Sequence, residues 1–185
     1  MTAYLRRFAT LATVPLAVVF ALAAAPAEAL ACTCPTRYDY QCIDFARTAV
    51  GSWYVWGGSQ WSTTDRNWKG ADCSGLLCKG WQVAVASRAD SAYHPYSTTN
   101  LFNNTYHWYS VSRGSAWKGD AVGYPPAGTE SGHVVMYYYG SPYGQAYVIE
   151  APRAGYRIRQ GYKDISASKW QFRRRHNLTL TAGPA

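Results

Sequence analysis

Apolar and polar positions change their rhythm three times along this chain, and each change marks a different kind of segment. From Leu11 to Ala25 the chain is apolar almost without break, interrupted only by Thr13 and Pro15 and preceded by Arg6 and Arg7. The uninterrupted stretch is shorter than the roughly 20 residues a membrane span needs. Small residues follow, and Ala27-Glu28-Ala29 and Ala29-Leu30-Ala31 both fit signal-peptidase cleavage. Residues 1–31 are therefore expected to be a signal peptide, with 32–185 forming one secreted or cell-wall-associated domain without a stable membrane span.

Beyond it, Ile43, Phe45, Ala46, Ala49 and Val50 recur near a 3.6-residue period and predict a helix over Gln41–Ser52. Residues 59–70 are polar and loop-like. A second helix is expected to start at Asp72-Cys73, with Asp72 as N-cap and Leu76, Leu77, Trp81, Val83, Ala84 and Val85 carrying the pattern toward Ser87. Residues 90–119 show no clear period and predict turns with one short helix. From Asp120 the rhythm becomes that of strands: Ala121–Tyr124, His133–Tyr139, Ala146–Ala151, Tyr156–Gln160 and Trp170–Arg175, with 140–144 as a turn. Helices first and antiparallel strands afterwards define an α+β domain.

Charge adds modestly to this. Without Arg6, Arg7 and Glu28, the 18 basic and 10 acidic residues fall to 16 and 9, leaving about +7. Arg153, Arg157, Arg159, Lys163, Lys169 and Arg173 to Arg175 concentrate it near the C-terminus. An acidic wall polymer such as peptidoglycan suits that balance, and nucleic acid would rest on charge alone. Eight Trp and sixteen Tyr fit a rigid exported surface, part of it core.

The five cysteines cannot all pair. With Cys73 free, Cys34 and Cys42 could close a short loop and Cys32 could join Cys78; sequence alone does not fix the connectivity. A structural Cys73–Cys78 bridge is the competing reading. No Cys-x-x-Cys pair or His-x-x-x-His spacing offers a zinc site, and no Gly-rich phosphate loop occurs, so no cofactor or metal is expected.

Chemistry collects at Cys73. A thiol in the first turn of a helix faces the positive end of the macrodipole, which lowers its pKa and aims backbone N–H groups at a reacting carbonyl. His133 opens a strand, and Glu150 lies on the expected antiparallel neighbour, where its carboxylate can hold one ring nitrogen and leave the other for the thiol. His94, His107 and His176 are alternatives of similar bare merit.

These residues stand in familiar company. Tyr54–Gly58 (YVWGG), Asp72–Gly75 (DCSG), Gly119-Asp120 and Gly132–Tyr137 (GHVVMY) are similar, in order and context, to the NlpC family of papain-like cell-wall cysteine peptidases, with CHAP amidases as near relatives. The resemblance spans about residues 42–175. It implies a catalytic helix packed on an antiparallel sheet, Cys73 as nucleophile, His133 as base, and a Tyr54 hydroxyl that assists at the oxyanion or thiol. It also implies hydrolysis of peptidoglycan, with the stem peptide as the first expectation. Muramoyl-alanine amidase, acyltransferase or a non-catalytic wall-binding role on the same fold are the alternatives. The family's third polar residue is most often His, whereas this chain has Glu150, so the bond cleaved stays open. A monomer is expected. Asn103 and Asn177 sit in Asn-x-Thr sequons, relevant only in a glycosylating host.

Overall fold

The computed structural model describes residues 34–83, 96–103 and 106–181. The signal segment, Cys32, His94 and the expected helical stretch 84–87 lie outside the described residues.

Two helices and a sheet make the frame. Helix α1 (Asp39–Arg47) begins two residues before the predicted start and ends at Thr48 as C-cap; the Ala49 and Val50 N–H groups beyond it donate three residues back, to Ala46 and Arg47, in a turn. Strand β1 (Arg37–Tyr38) precedes it. Strands β2 (Trp53–Tyr54) and β3 (Gly70–Ala71) pair in parallel, with Tyr54 opposite Ala71. Helix α2 (Cys73–Trp81) follows directly, and α3 (Thr98–Asn103) supplies the one short helix expected in the unpatterned region.

The sheet comprises β4 (Trp108–Val111), β5 (Ala121–Tyr124), β6 (His133–Gly140), β7 (Gln145–Glu150), β8 (Arg159–Asp164) and β9 (Gln171–Arg175). Its order is β4-β9-β5-β6-β7-β8, antiparallel throughout, and β10 (Leu178–Thr179) pairs separately with β1. The domain is α+β, with α2 packed on β6.

Strand β6 reads as a continuous apolar run because both of its faces are buried. Val134 and Met136 join the core under the helices, while Val135 and Tyr137 join a second cluster with Val148, Trp170 and Phe172. The contact between α2 and β6 is tight: a Cβ at Gly80 would stand 2.6 Å from the Met136 methyl.

Two expectations are corrected. The strand predicted over Tyr156–Gln160 starts at Arg159; the residues before it form a turn whose Tyr156 N–H returns to the Arg153 carbonyl. Cys42 and Cys78 are free, buried thiols, so neither makes the bridges considered for them, and Cys73 is free as well. Both lie in the apolar core under the helices, where a thiol packs as a small hydrophobe.

Candidate functional site

The start of α2 is fixed by an interlock between two glycine-containing segments. Asp72 caps the helix by accepting from the Gly75 N–H at 2.7 Å, and its second oxygen accepts from the Gly57 N–H at 2.9 Å. The Asp72 N–H in turn donates to the Gly58 carbonyl at 3.0 Å. A Cβ at Gly75 would lie 2.1 Å from the Gly58 carbonyl oxygen, so no larger residue fits there without moving backbone. The Trp-Gly-Gly turn thus clasps the first turn of the helix, and the β2–β3 pairing sets Tyr54 beside it.

Cys73 is buried, 9% exposed, at the first helical position. Backbone N–H groups of Val134, Ser74 and Cys73 itself act on the thiol in the direction that favours its charged form. Val134 belongs to the strand that His133 opens. The resting thiol is nonetheless not acidic. Burial pushes it up to about 11, the nearby Asp72 charge adding to the effect, and the backbone donors do not overcome this. The direction is opposite to the one that a helix start alone implies, because desolvation outweighs the backbone donors there. Tyr54 is likewise pushed up, to about 12, by burial and then by the charges of Cys73 and Asp72, so its hydroxyl keeps its proton.

His133 and Glu150 meet as expected. Strand alternation sets His133 on the face of Val135 and Tyr137, and Glu150 falls on that face of β7 beside it. His133 Nε2 and Glu150 Oε2 are 3.1 Å apart. A carboxylate only accepts, so Nε2 carries a hydrogen, and in the neutral ring Nδ1 keeps its lone pair.

Glu150 also holds two cations from the basic stretch near the C-terminus. Arg159, opposite it on β8, donates from Nε at 2.9 Å and Nη2 at 2.7 Å to Oε1. Lys163 reaches Oε2 at 2.7 Å across Gly161, which presents no side chain between them. Burial alone would raise this carboxyl, but donation from His133, Lys163 and Arg159 wins and holds it well below the usual carboxylate range. The signal that could have found these partners is the alternation Arg159, Gly161, Lys163 on the strand beside Glu150.

A cavity of about 630 Å³ opens over the cluster, lined by Tyr54, Asp72, Cys73 and His133, with Trp56 and the start of α3 on its walls. Trp56 is 82% exposed, a large ring left standing in solvent at the cavity rim. A second cavity of about 460 Å³ adjoins behind His133 and contains Glu150, Arg153, Arg159 and Lys163. Neither His107 nor His176 lines either cavity; they stack instead among Tyr96, Tyr106, Trp108 and Tyr109. Among the described residues no group of three His, Cys, Asp or Glu could hold a metal ion, and no helix is long and apolar enough to cross a membrane.

The fold and cluster define a class: an α+β domain in which a cysteine at a helix start shares a cavity with a histidine that is paired to a carboxylate on the sheet. The chain is similar in fold to NlpC/p60 domains. The NlpC/p60 domain of the peptidoglycan hydrolase SagA is 23% identical, with 73% of this chain and 96% of that chain covered at a TM-score of 0.45. The Resuscitation Promoting Factor Interacting protein RipA, in a form mutated at H432, is 20% identical over 75% of this chain and 62% of its own, at 0.49. NlpC1 from Trichomonas vaginalis is 21% identical over 75% of this chain and 44% of its own, at 0.48. No family model matches the chain, and no curated protein matches it.

Proposed function

We propose that this protein is a secreted cysteine hydrolase that cuts amide bonds of bacterial peptidoglycan, with the stem peptide as its substrate. The observation that carries the reading is the cavity that Cys73 and His133 line together, with the His133 imidazole held by Glu150 at 3.1 Å.

In this mechanism a neutral thiol is the resting species, so proton transfer must accompany attack. Nδ1 of His133 takes the Cys73 proton as the sulfur adds to the amide carbonyl. The Cys73 N–H and the Tyr54 hydroxyl donate to the developing oxyanion. Ionised Glu150 stabilises the imidazolium, which then gives its proton to the leaving amine. Water attacks the thioester, His133 again accepting a proton, and releases the acid and the free thiol.

Mass analysis of products released from purified sacculi tests this. Wild type should release muropeptides carrying one new amine and one new carboxyl per cut, and Cys73→Ala should release none. Equal release by the two proteins overturns the hydrolase reading, and products heavier by an acyl acceptor instead of water would make the protein a transferase.

A further inference from the structure

The second cavity shares His133 and Glu150 with the chemistry above, yet the rest of it is built around cations that the chemistry does not use. Arg153, Arg159 and Lys163 line it against a single carboxylate, Glu150, with Tyr124 and Tyr156 on its walls. Arg159 and Lys163 spend donors on Glu150 but keep others, since a guanidinium has five and an ammonium three. Arg153 differs: among the described residues its guanidinium bonds the Tyr156 hydroxyl, which accepts from Nη2 at 2.8 Å, and lies 4.7 Å from the Tyr156 ring centroid.

That arrangement holds Arg153 ready without neutralising it. The turn that bears it is closed by the Tyr156 N–H donating to the Arg153 carbonyl and anchored at its Tyr156 end, where the Tyr54 N–H donates to the Tyr156 carbonyl at 2.9 Å. Arg153 also lines the first cavity, together with Cys73 and His133. It therefore stands where the two cavities meet, within reach of any group attached beside the bond under attack.

We infer that the second cavity is a carboxylate subsite, with Arg153 as its specificity-determining residue and Arg159 and Lys163 as supporting charge. The ligand is a free carboxylate on the stem-peptide residue next to the scissile amide. A planar guanidinium suits that group, giving two parallel hydrogen bonds that a primary amide cannot reproduce. This inference rests on the proposed hydrolase reading for its substrate, but its binding test does not.

A matched pair of synthetic stem peptides, one with that carboxyl free and one with it converted to a primary amide, tests the subsite. Wild type should show a KM about 10-fold lower for the acid, and Arg153→Ala should erase the preference by raising KM for the acid alone, with Arg153→Lys restoring part of it. Loss of activity on both peptides alike would mean a structural role and overturn the inference, as would a wild type indifferent to amidation. If wild type cuts neither peptide, the hydrolase reading fails separately. The subsite is then judged by calorimetry on Cys73→Ala: tighter binding of the acid, lost in Cys73→Ala/Arg153→Ala, supports it, and equal affinities overturn it.

Discussion

At the scale of single residues, the site turns on which protonation states burial permits. Cys73 lies high, up to about 11, because desolvation, with the Asp72 charge adding to it, outweighs the backbone donors. The rate of iodoacetamide alkylation at Cys73 should accordingly climb about tenfold per pH unit through the range above neutrality, without a plateau below pH 9. A plateau already reached at pH 6 would mean a preformed thiolate and would remove the neutral resting state from the mechanism.

Glu150 works in the opposite direction. Its pKa is depressed, so its contribution to stability is present above the ordinary carboxylate value of 4.5 and fades as pH falls below it. Glu150→Gln should therefore destabilise the fold at pH 7 by about 1.5–3 kcal/mol, with the gap to wild type narrowing below pH 4.5 in denaturant titrations. A gap that widens on acidification would contradict the ion-pair geometry. Cys73, His133 and Glu150 were all legible as candidates, because helix start and strand pairing follow from local pattern. The thiol's acidity was not legible, since it depends on how closely Asp72 and the sheet exclude water.

At the scale of elements, the short motifs matter through contact with one another. The sequence shows Trp56-Gly57-Gly58 and Asp72–Gly75 as separate patches, and the fold joins them through the Asp72 carboxylate and the close approach of Gly75 to Gly58. Gly75→Ala should cost about 1–3 kcal/mol in unfolding free energy and lower activity further than that loss explains, because the helix start must back away from the turn. Wild-type stability in Gly75→Ala, measured by chemical denaturation, would refute the interlock. Strand β4 was missed for a related reason: Trp108–Val111 has no apolar alternation of its own, and it is a strand because Trp108 opposes Arg175 on β9. The end of α1 was overextended because Ala49 is buried under the core even though its backbone has left the helix.

At the scale of the whole molecule, the C-terminal arginines are more than a solvated basic face. Arg174 places Nε and Nη2 at 2.7 Å from the two oxygens of Asp120, which is fully buried. Arg175, also fully buried, donates to the Pro35 carbonyl at 2.7 Å and so ties the last long strand to the start of the described chain. Composition counted these residues as charge for a partner, because a run of three arginines gives no sign of which neighbour awaits it. Removing one member of a buried pair leaves the other uncompensated, so Arg174→Met should destabilise by about 3–5 kcal/mol, and Arg174→Met/Asp120→Leu by less. A double variant worse than the single one would contradict this account of the pair.

The α+β class and the order of helix and sheet followed from periodicity, because each long element packs along one stripe. The second cavity did not, since Arg153, Arg159 and Lys163 come together only through a turn and a strand register. What the functional reading depends on is that Cys73 and His133 act as one unit. Rates of muropeptide release by wild type, Cys73→Ala, His133→Ala and the double variant measure that directly. Each single change should lower the rate at least about 1,000-fold and the double should be no worse than either. Release persisting near the wild-type rate in either single variant, or losses that multiply in the double, would contradict it.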